Sequence, residues 1–325
     1  MDNRTLQDAI SRAAYRAILQ REPEAAVLAQ QRPEEFGSDL ERLIEETLKR
    51  FLASDERRVL ERQFSPGAWV ITELEHGLKL WVDLADFGVS RACLEGVYEP
   101  DETTFLKGIL RPGMTFVDIG ANIGWYTVHA AQIVGPAGLV IAFEPRPDTF
   151  ARLSRSVALN GFEAWVELHQ AALGATPGQA YVGWHAQTKN PGGTWLLQSE
   201  LMRSTFEASG AEIYPTCVAT LDQIVADRSI DILKIDIEGA EPIALQGAVE
   251  TLLKSRPTIL SEVNFANLQT VSGVSGSDYF QQMTALGYTA YALGRGDMGP
   301  TLLEDLSAPD GGLLNVVFVP TERAP

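Results

Sequence analysis

Apolar positions along this chain change their period twice. In residues 1 to about 62, Leu6, Ile10, Ala14 and Ala17/Ile18 recur at helical spacing. A second stripe, Leu40, Leu43, Ile44, Leu48, Phe51 and Leu52, opens on Ser38 and Glu41 at capping-box spacing and ends at the charged run DERR, 55–58. From Ala68 the period drops to two: AWVITEL, a turn at His76-Gly77 and LKLWVDL predict a β-hairpin. A connecting segment and a helix follow in SRACLEGVYEPDETTFLKGILRPG, stopped by Pro112-Gly113.

Between Thr115 and Pro320, short runs rich in Val, Ile, Leu and Phe alternate with helical stretches. The runs TFVDIG, GLVIAFEP, WVELHQAAL, DILKIDIEG and PTILSEVN read as strands buried on both faces, and RPDTFARLSRSVALNG and EPIALQGAVETLLKS as the helices between them. The alternation predicts a doubly wound α/β fold with a parallel sheet. Two last runs, GYTAYAL and LLNVVFVP, have no helix between them and predict a closing antiparallel pair. Three regions follow: a helical N-terminal extension at 1–65, a β-hairpin and cap segment at 66–112, and an α/β domain at 113–325.

Composition narrows the function. With 45% apolar and 21% charged residues among 325, the chain is an ordinary globular sequence, but its net charge is −17. Such a surface repels phosphate backbones and anionic headgroups, so nucleic acid is not an expected partner. Cys93 and Cys217 lie far apart, which argues against a disulfide framework or a thiolate zinc site and predicts two buried thiols. The opening MDNRTLQDAI has no apolar leader core and no stretch reaches about 18 uncharged apolar residues, so the expected location is cytoplasmic, without membrane insertion.

The most informative stretch is TFVDIGANIGWYT, 115–127, where a buried strand ends in an acid and passes into a loop spaced by Gly120 and Gly124. A dinucleotide site wants GxGxxG there, because a pyrophosphate rests on the amides of the helix N-terminus and a carboxylate would repel it. Here Asp118 precedes the first glycine and Asn122 replaces the middle one, a pattern suited to a cationic ligand. The next strand ends in Glu144, placed to accept both hydroxyls of a ribose.

Together VDIGANIGWYT, AFEPRPDTFARLSRSVALNG, TLDQIV and DILKIDIEGAE resemble the FkbM family of S-adenosylmethionine-dependent methyltransferases, over about residues 70 to 320. The resemblance implies a class I methyltransferase (Rossmann-like) fold, with a seven-stranded sheet whose last strand is antiparallel, and S-adenosyl-L-methionine as cofactor. It further implies O-methylation of a hydroxyl on a sugar, a glycan or a polyketide-type natural product. Carried over by position, Asp118, Gly120, Asn122 and Gly124 surround the methionine moiety, Glu144 holds the ribose, and Ala171 and Ala172 leave room for adenine. Asn160 supports the same edge or simply caps its helix. Tyr98 and Glu99 lie in a segment that folds over the cofactor.

For the chemistry, Asp236 and Glu238 are the candidate bases, with His185 as a weaker candidate and Glu241 either a third acid or a helix-start residue. Lys234, two residues before Asp236, is placed to pair with it and keep it ionised. The acids of DIEGAE would also suit Mg²⁺, but nothing else supplies a cage, and no metal is expected. The long stretch from Tyr181 to Thr216 is expected to line the acceptor site with Trp184, His185 and Trp195, or to use those aromatics as anchors. Two other readings stay open: a nicotinamide-dependent oxidoreductase on a similar sheet, and a catalytically idle partner-binding protein. The N-terminal helices either join copies into a homo-oligomer or cover the sheet.

Overall fold

A computed structural model of the chain describes residues 69–324 apart from 85, 87, 186–192, 198, 295–298 and 307–311. The helices expected within 1–65 lie outside these residues. Strands β1 (Trp69–Glu73) and β2 (Lys79–Asp83) form the expected hairpin, turned at 75–77 with His76 and Gly77 both at positive φ. Two helices follow, α1 (Val89–Leu94) and α2 (Pro100–Ile109); Pro100 opens the second, where its missing N–H costs nothing.

The main sheet begins with β3 (Thr115–Ile119), β4 (Leu139–Phe143) and β5 (Val166–His169), separated by α3 (Trp125–Val134) and α4 (Pro147–Asn160). A second sheet is made of β6 (Ala172–Leu173), β7 (Gly178–Trp184), β8 (Thr194–Leu197) and β9 (Glu212–Ala219), in the order β6-β9-β7-β8, with α5 (Glu200–Ala208) between its last two strands in sequence. The chain then returns through α6 (Leu221–Val225), β10 (Ile232–Ile235), α7 (Glu241–Gln246), α8 (Val249–Ser255) and β11 (Thr258–Asn264). It ends with α9 (Gly276–Ala285), β12 (Tyr288–Ala292), β13 (Thr301–Leu302) and β14 (Leu313–Pro320).

The main sheet runs β13-β12-β14-β11-β10-β3-β4-β5. Strands β5, β4, β3, β10 and β11 are parallel, and β14 lies antiparallel between β11 and β12. The expected count of seven strands is one short: the two-residue β13 adds an edge. The stretch 181–216, expected as a loop, is instead mostly built into the second sheet and α5.

Alternation along the strands fills two separate cores. Phe116, Val140, Ile232 and Leu260 pack on one face with Val128 and Val134 of α3 and Leu153 and Val157 of α4. Val117, Ile141, Leu233 and Ile259 pack on the other with Leu245 of α7, Leu252 of α8 and Met283 of α9. Both faces are therefore covered, which is why these strands read as unbroken apolar runs. The hairpin is fastened to α4: Arg152 stacks over the Trp69 ring at 3.6 Å and bonds to Asp83 at 3.2 Å. Asn160, neither a helix cap nor a wall of the site, bonds through its side-chain amide to both the N–H and the carbonyl of Lys79, while Gly161 supplies the left-handed helix end. Of the two thiols, Cys93 is buried as expected and Cys217 is exposed, because Cys217 lies at a solvent-facing position of β9.

Candidate active site

Consecutive connections leave β3 in opposite directions, to β4 on one side and eventually to β10 on the other, and a crevice opens at the carboxyl ends of such strands. A cavity of about 340 Å³ lies there. Gly120, Asn122 and Glu144 wall one end; Glu99, Asp236 and Glu238 wall the other; Ala171 and Ala172 also border it.

The turn after β3 is built by backbone that only small residues permit. Gly120 has φ +83, and a Cβ there would sit 2.0 Å from the Asp236 carbonyl oxygen. The turn's amides are already used. Those of Gly120 and Ala121 both donate to the Phe143 carbonyl, at 3.1 and 2.9 Å, and that of Gly124 donates to Ala121. The Asn122 amide, in the left-handed region at φ 51, donates to Glu144 Oε2 at 3.1 Å. Glu144 Oε1 accepts from the Arg146 amide at 2.9 Å, so the carboxylate is fixed while each oxygen keeps acceptor capacity toward the cavity. Burial pushes Glu144 up to about 7, against the opposing pull of these donors and the Arg146 charge.

At the other end the acids crowd together. Lys234, almost fully buried, donates to Asp236 Oδ2 at 3.0 Å and sits 4.7 Å from the centre of the Tyr126 ring. Burial opposes its charge, but Asp236, Glu99 and Asp118 outweigh that and hold its pKa above the ordinary lysine value. Tyr126 donates its hydroxyl to Glu99 Oε2 at 2.5 Å. Glu262, on β11, completes the group, since one oxygen each from Glu99, Asp236 and Glu262 lie within 4.8 Å of one another. Asp236 first, then burial and Glu99, push Glu262 up to about 9. Oxygen atoms so close need a cation or shared protons between them. Lys234 supplies one such cation from within the protein, against three carboxylates.

Beyond Asp236 the chain turns sharply. Glu238 has φ 54 and accepts from Asn267 Nδ2 at 2.6 Å; Gly239 has φ +94, and a Cβ there would lie 2.4 Å from the Asn267 carbonyl. Glu241 Oε1 accepts from the amides of Ile237, at 2.9 Å, and Gly239, at 3.2 Å. Of its two expected roles Glu241 therefore takes the architectural one: it folds the turn that presents Asp236 and Glu238, and it does not border the cavity.

Several expected residues stand elsewhere. Asp118 is fully buried under α3, on the face of β3 that carries Phe116, and its Oδ2 accepts from Thr127 at 2.6 Å. Its charge reaches the site through Lys234, whereas its side chain is not part of the wall. Gly124 stands behind the loop as the N-cap of α3, where a Cβ would meet Leu153 at 2.8 Å. His185 is likewise outside the cavity wall: its ring lies 5.1 Å from that of Phe206, because β7 aims it toward α5. Trp184 lies under the Arg146 guanidinium at 4.1 Å and Trp195 against Phe206, so both act as anchors. Tyr98 and Glu99 do border the cavity. Glu262 was not among the expected residues; an acid inside the apolar run PTILSEVN, beside β10, was the available signal.

These acids imply an unusual stability profile. Burial leads the shifts that put Glu144, Glu238 and Glu241 near 7, and Glu262 lies near 9, whereas in the unfolded chain all four ionise near 4.3. Above pH 6.5 the folded state therefore binds more protons than the unfolded one, and stability falls as pH rises. Buried His129, lowered to about 4, acts oppositely but only below about 6.5. Scanning calorimetry between pH 6.5 and 9 is expected to show a falling Tm, equivalent to a loss on the order of 5 kcal/mol. A flat or rising Tm over that window would contradict these protonation states.

Sequence comparison shows a family. Its sequence model, described as a methyltransferase FkbM domain, matches residues 118–290, more than half of the chain. Methyltransferase 1 of Beauveria bassiana is 27% identical over 151 residues, covering 40% of this chain and 57% of that protein. The 31-O-demethyl-FK506 methyltransferase FkbM of Streptomyces tacrolimicus is 28% identical over 178 residues, covering 48% of this chain and 67% of that protein. The match thus spans a little over half to two thirds of these relatives. Among solved structures, methyltransferase FkbM from Methylobacillus flagellatus KT aligns with a TM-score of 0.43 at 17% identity, covering 69% of this chain and 49% of that one. Among the described residues no helix is long and apolar enough to cross a membrane. With 173 of its 325 residues matched by that model, the chain belongs to the FkbM methyltransferase family.

Proposed function

We propose that the chain is an S-adenosyl-L-methionine-dependent O-methyltransferase whose cavity between β3, β4 and β10 holds the methyl donor. The observation that carries this reading is the state of the first turn. The amides of Gly120, Ala121, Asn122 and Gly124 are committed to Phe143, Glu144 and Ala121, so none is left to cradle a diphosphate. The cavity wall adds Glu99, Glu144, Asp236, Glu238 and Glu262 against Lys234 alone, a balance that repels a dinucleotide and favours a cation. The donor's chemistry fits those walls: Glu144 suits a ribose diol, Ala171 and Ala172 leave space for a flat base, and the acids at the β10 end suit an ammonium and a sulfonium.

When bound, S-adenosylmethionine supplies an electrophilic methyl group on a positively charged sulfur. The chain's task is then to hold an acceptor hydroxyl in line and to remove its proton. Asp236 is suited to that removal, because Lys234 fixes its orientation at 3.0 Å and it borders the cavity. Glu238 is the neighbouring second acid, turned toward Asn267. The acceptor in this reading is an uncharged hydroxyl compound, a sugar, glycan or polyketide-type natural product, since an anionic acceptor would meet the same acids. The name of the Streptomyces relative, which specifies a 31-O-demethyl substrate, favours a natural-product hydroxyl. The described residues of the cap segment, from Trp69 on, would cover the donor, whose supply is intracellular.

The test is transfer of a labelled methyl group from S-adenosylmethionine to a panel of sugars and macrolide-type alcohols. Asp236→Asn is expected to lower the rate at least about 100-fold while S-adenosylhomocysteine affinity changes less than about 3-fold. An unaltered rate would remove Asp236 from the chemistry, and no transfer to any hydroxyl acceptor would overturn the O-methyltransferase assignment.

A further inference from the structure

We propose that Glu262 stores the proton of the reaction: it is protonated in the ligand-free protein, gives that proton to solvent when a cationic methyl donor enters, and is reprotonated by the acceptor hydroxyl through Asp236. The inference rests on the donor-site reading above and deepens it.

The geometry is the warrant. Oxygens of Glu99, Asp236 and Glu262 lie within 4.8 Å of one another. The groups facing Glu262 come from several elements: Asp236 and Lys234 from β10, Glu238 from the turn after it, and Glu99 from the start of α2. Glu102 of α2 is held by Asn315, the residue opposite Glu262 on β14, and Asp118 stands on β3 in register with Lys234. Lys234 is the single cation in this group, and it is bonded to Asp236. Asp118 adds a fully buried oxygen, Oδ1, without a hydrogen-bond partner, and burial raises its pKa against the pull of Lys234. One lysine cannot hold three or four carboxylates ionised at such spacing, and one of them keeps a proton. Glu262 is that one: Lys234 donates to Asp236, Tyr126 to Glu99 and Asn267 to Glu238, whereas among the described residues no side chain donates to Glu262, and the charges around it push it up to about 9.

An arriving positive charge reverses the balance. It stabilises ionised Glu262 as a salt-bridge partner would, and the proton leaves. The acceptor's O–H bond then breaks toward Asp236, which passes the proton to ionised Glu262, while the new O–CH₃ bond forms and the C–S bond breaks with its electron pair left on sulfur. Once the sulfur is uncharged, protonated Glu262 is again the stable state, and the protein is ready for another donor. The stoichiometric proton of the reaction, one per methyl transferred, is in this scheme released at donor binding and not at methyl transfer.

Calorimetric titrations of the full chain in two buffers of different ionisation enthalpy at pH 7.5 count the protons. S-adenosylmethionine is expected to release close to one proton more than S-adenosylhomocysteine, which shares its amino and carboxyl groups but lacks the positive sulfur. Glu262→Gln is expected to retain binding of both ligands and to reduce that difference to near zero. Equal release from both ligands by the unaltered chain would overturn the proposal, and so would a difference that persists in Glu262→Gln. Failure of either ligand to bind the unaltered chain would instead overturn the donor-site reading. A chelator included throughout leaves the expected difference unchanged, and its disappearance with chelator would assign the proton to displacement by a metal ion and overturn the proposal.

Discussion

Replacing Gly120 by alanine is expected to cost roughly 4 kcal/mol or more of folding stability, enough to leave little folded protein. Two independent effects add. The residue has φ +83, where a side chain is strained, and the new Cβ would stand 2.0 Å from the Asp236 carbonyl oxygen, a backbone atom that cannot swing aside. That carbonyl belongs to the end of β10, and the Asp236 amide is bonded to the Ile119 carbonyl at 3.1 Å, so relief of the clash requires separating β3 from β10 where the cavity begins. Urea unfolding checks this. Gly108→Ala, in α2 and with nothing within 4 Å of its Cβ, is the control, expected to be neutral or to stabilise by up to about 1 kcal/mol. A Gly120→Ala midpoint equal to that of the parent would contradict the close approach of the two strands.

Glu144→Gln is expected to weaken binding of S-adenosylhomocysteine about 100-fold, near 2.7 kcal/mol, with only a small loss of stability. The glutamate holds two backbone amides and still presents acceptor capacity to the cavity from both oxygens. An amide of the same shape turns one of its two acceptor positions into a donor, so a vicinal diol that needs two acceptors loses one and meets a repulsive contact. Stability is expected to fall by about 1 kcal/mol, because the new donor faces one of the two backbone amides that the carboxylate satisfied, a loss partly offset by removing an acid that burial pushes up to about 7. Affinity within about 3-fold of the parent would show that Glu144 does not face the ribose.

The contrast between these two positions explains how much of the site was legible in the sequence. Gly120, Asn122 and Glu144 were readable because a glycine-spaced turn after a strand, and an acid at the end of the next strand, are local patterns with one geometric solution. Asp118 belongs to the same motif, yet sequence position does not say which way a side chain at a strand end points. Strand alternation sends it toward Thr127 under α3, so its charge acts on the site only through Lys234. Glu262 comes from a strand 26 residues beyond Asp236, and its importance depends on β11 pairing beside β10, which a linear reading of acids around DIEGAE does not capture. The stretch 181–216 was legible in part: Val182, Thr194 and Leu196 border the cavity and Trp184 and Trp195 are held by Arg146 and Phe206, but its Gly, Trp and Thr do not announce the second sheet in which Val182 and Leu196 are buried. The parallel, helix-covered character of the main sheet was legible because its strands are buried on both faces and their helices carry matching stripes; the short β13 edge had no such pattern to announce it.

The electrostatic character of the cavity is the part on which the functional reading depends. It is tested most directly by titrating the full chain with S-adenosylhomocysteine and, separately, with NAD in the same calorimetric cell. Saturable one-to-one binding of S-adenosylhomocysteine, unaffected by a large excess of NAD, is the predicted result. Binding of NAD, with no heat from S-adenosylhomocysteine, would contradict it.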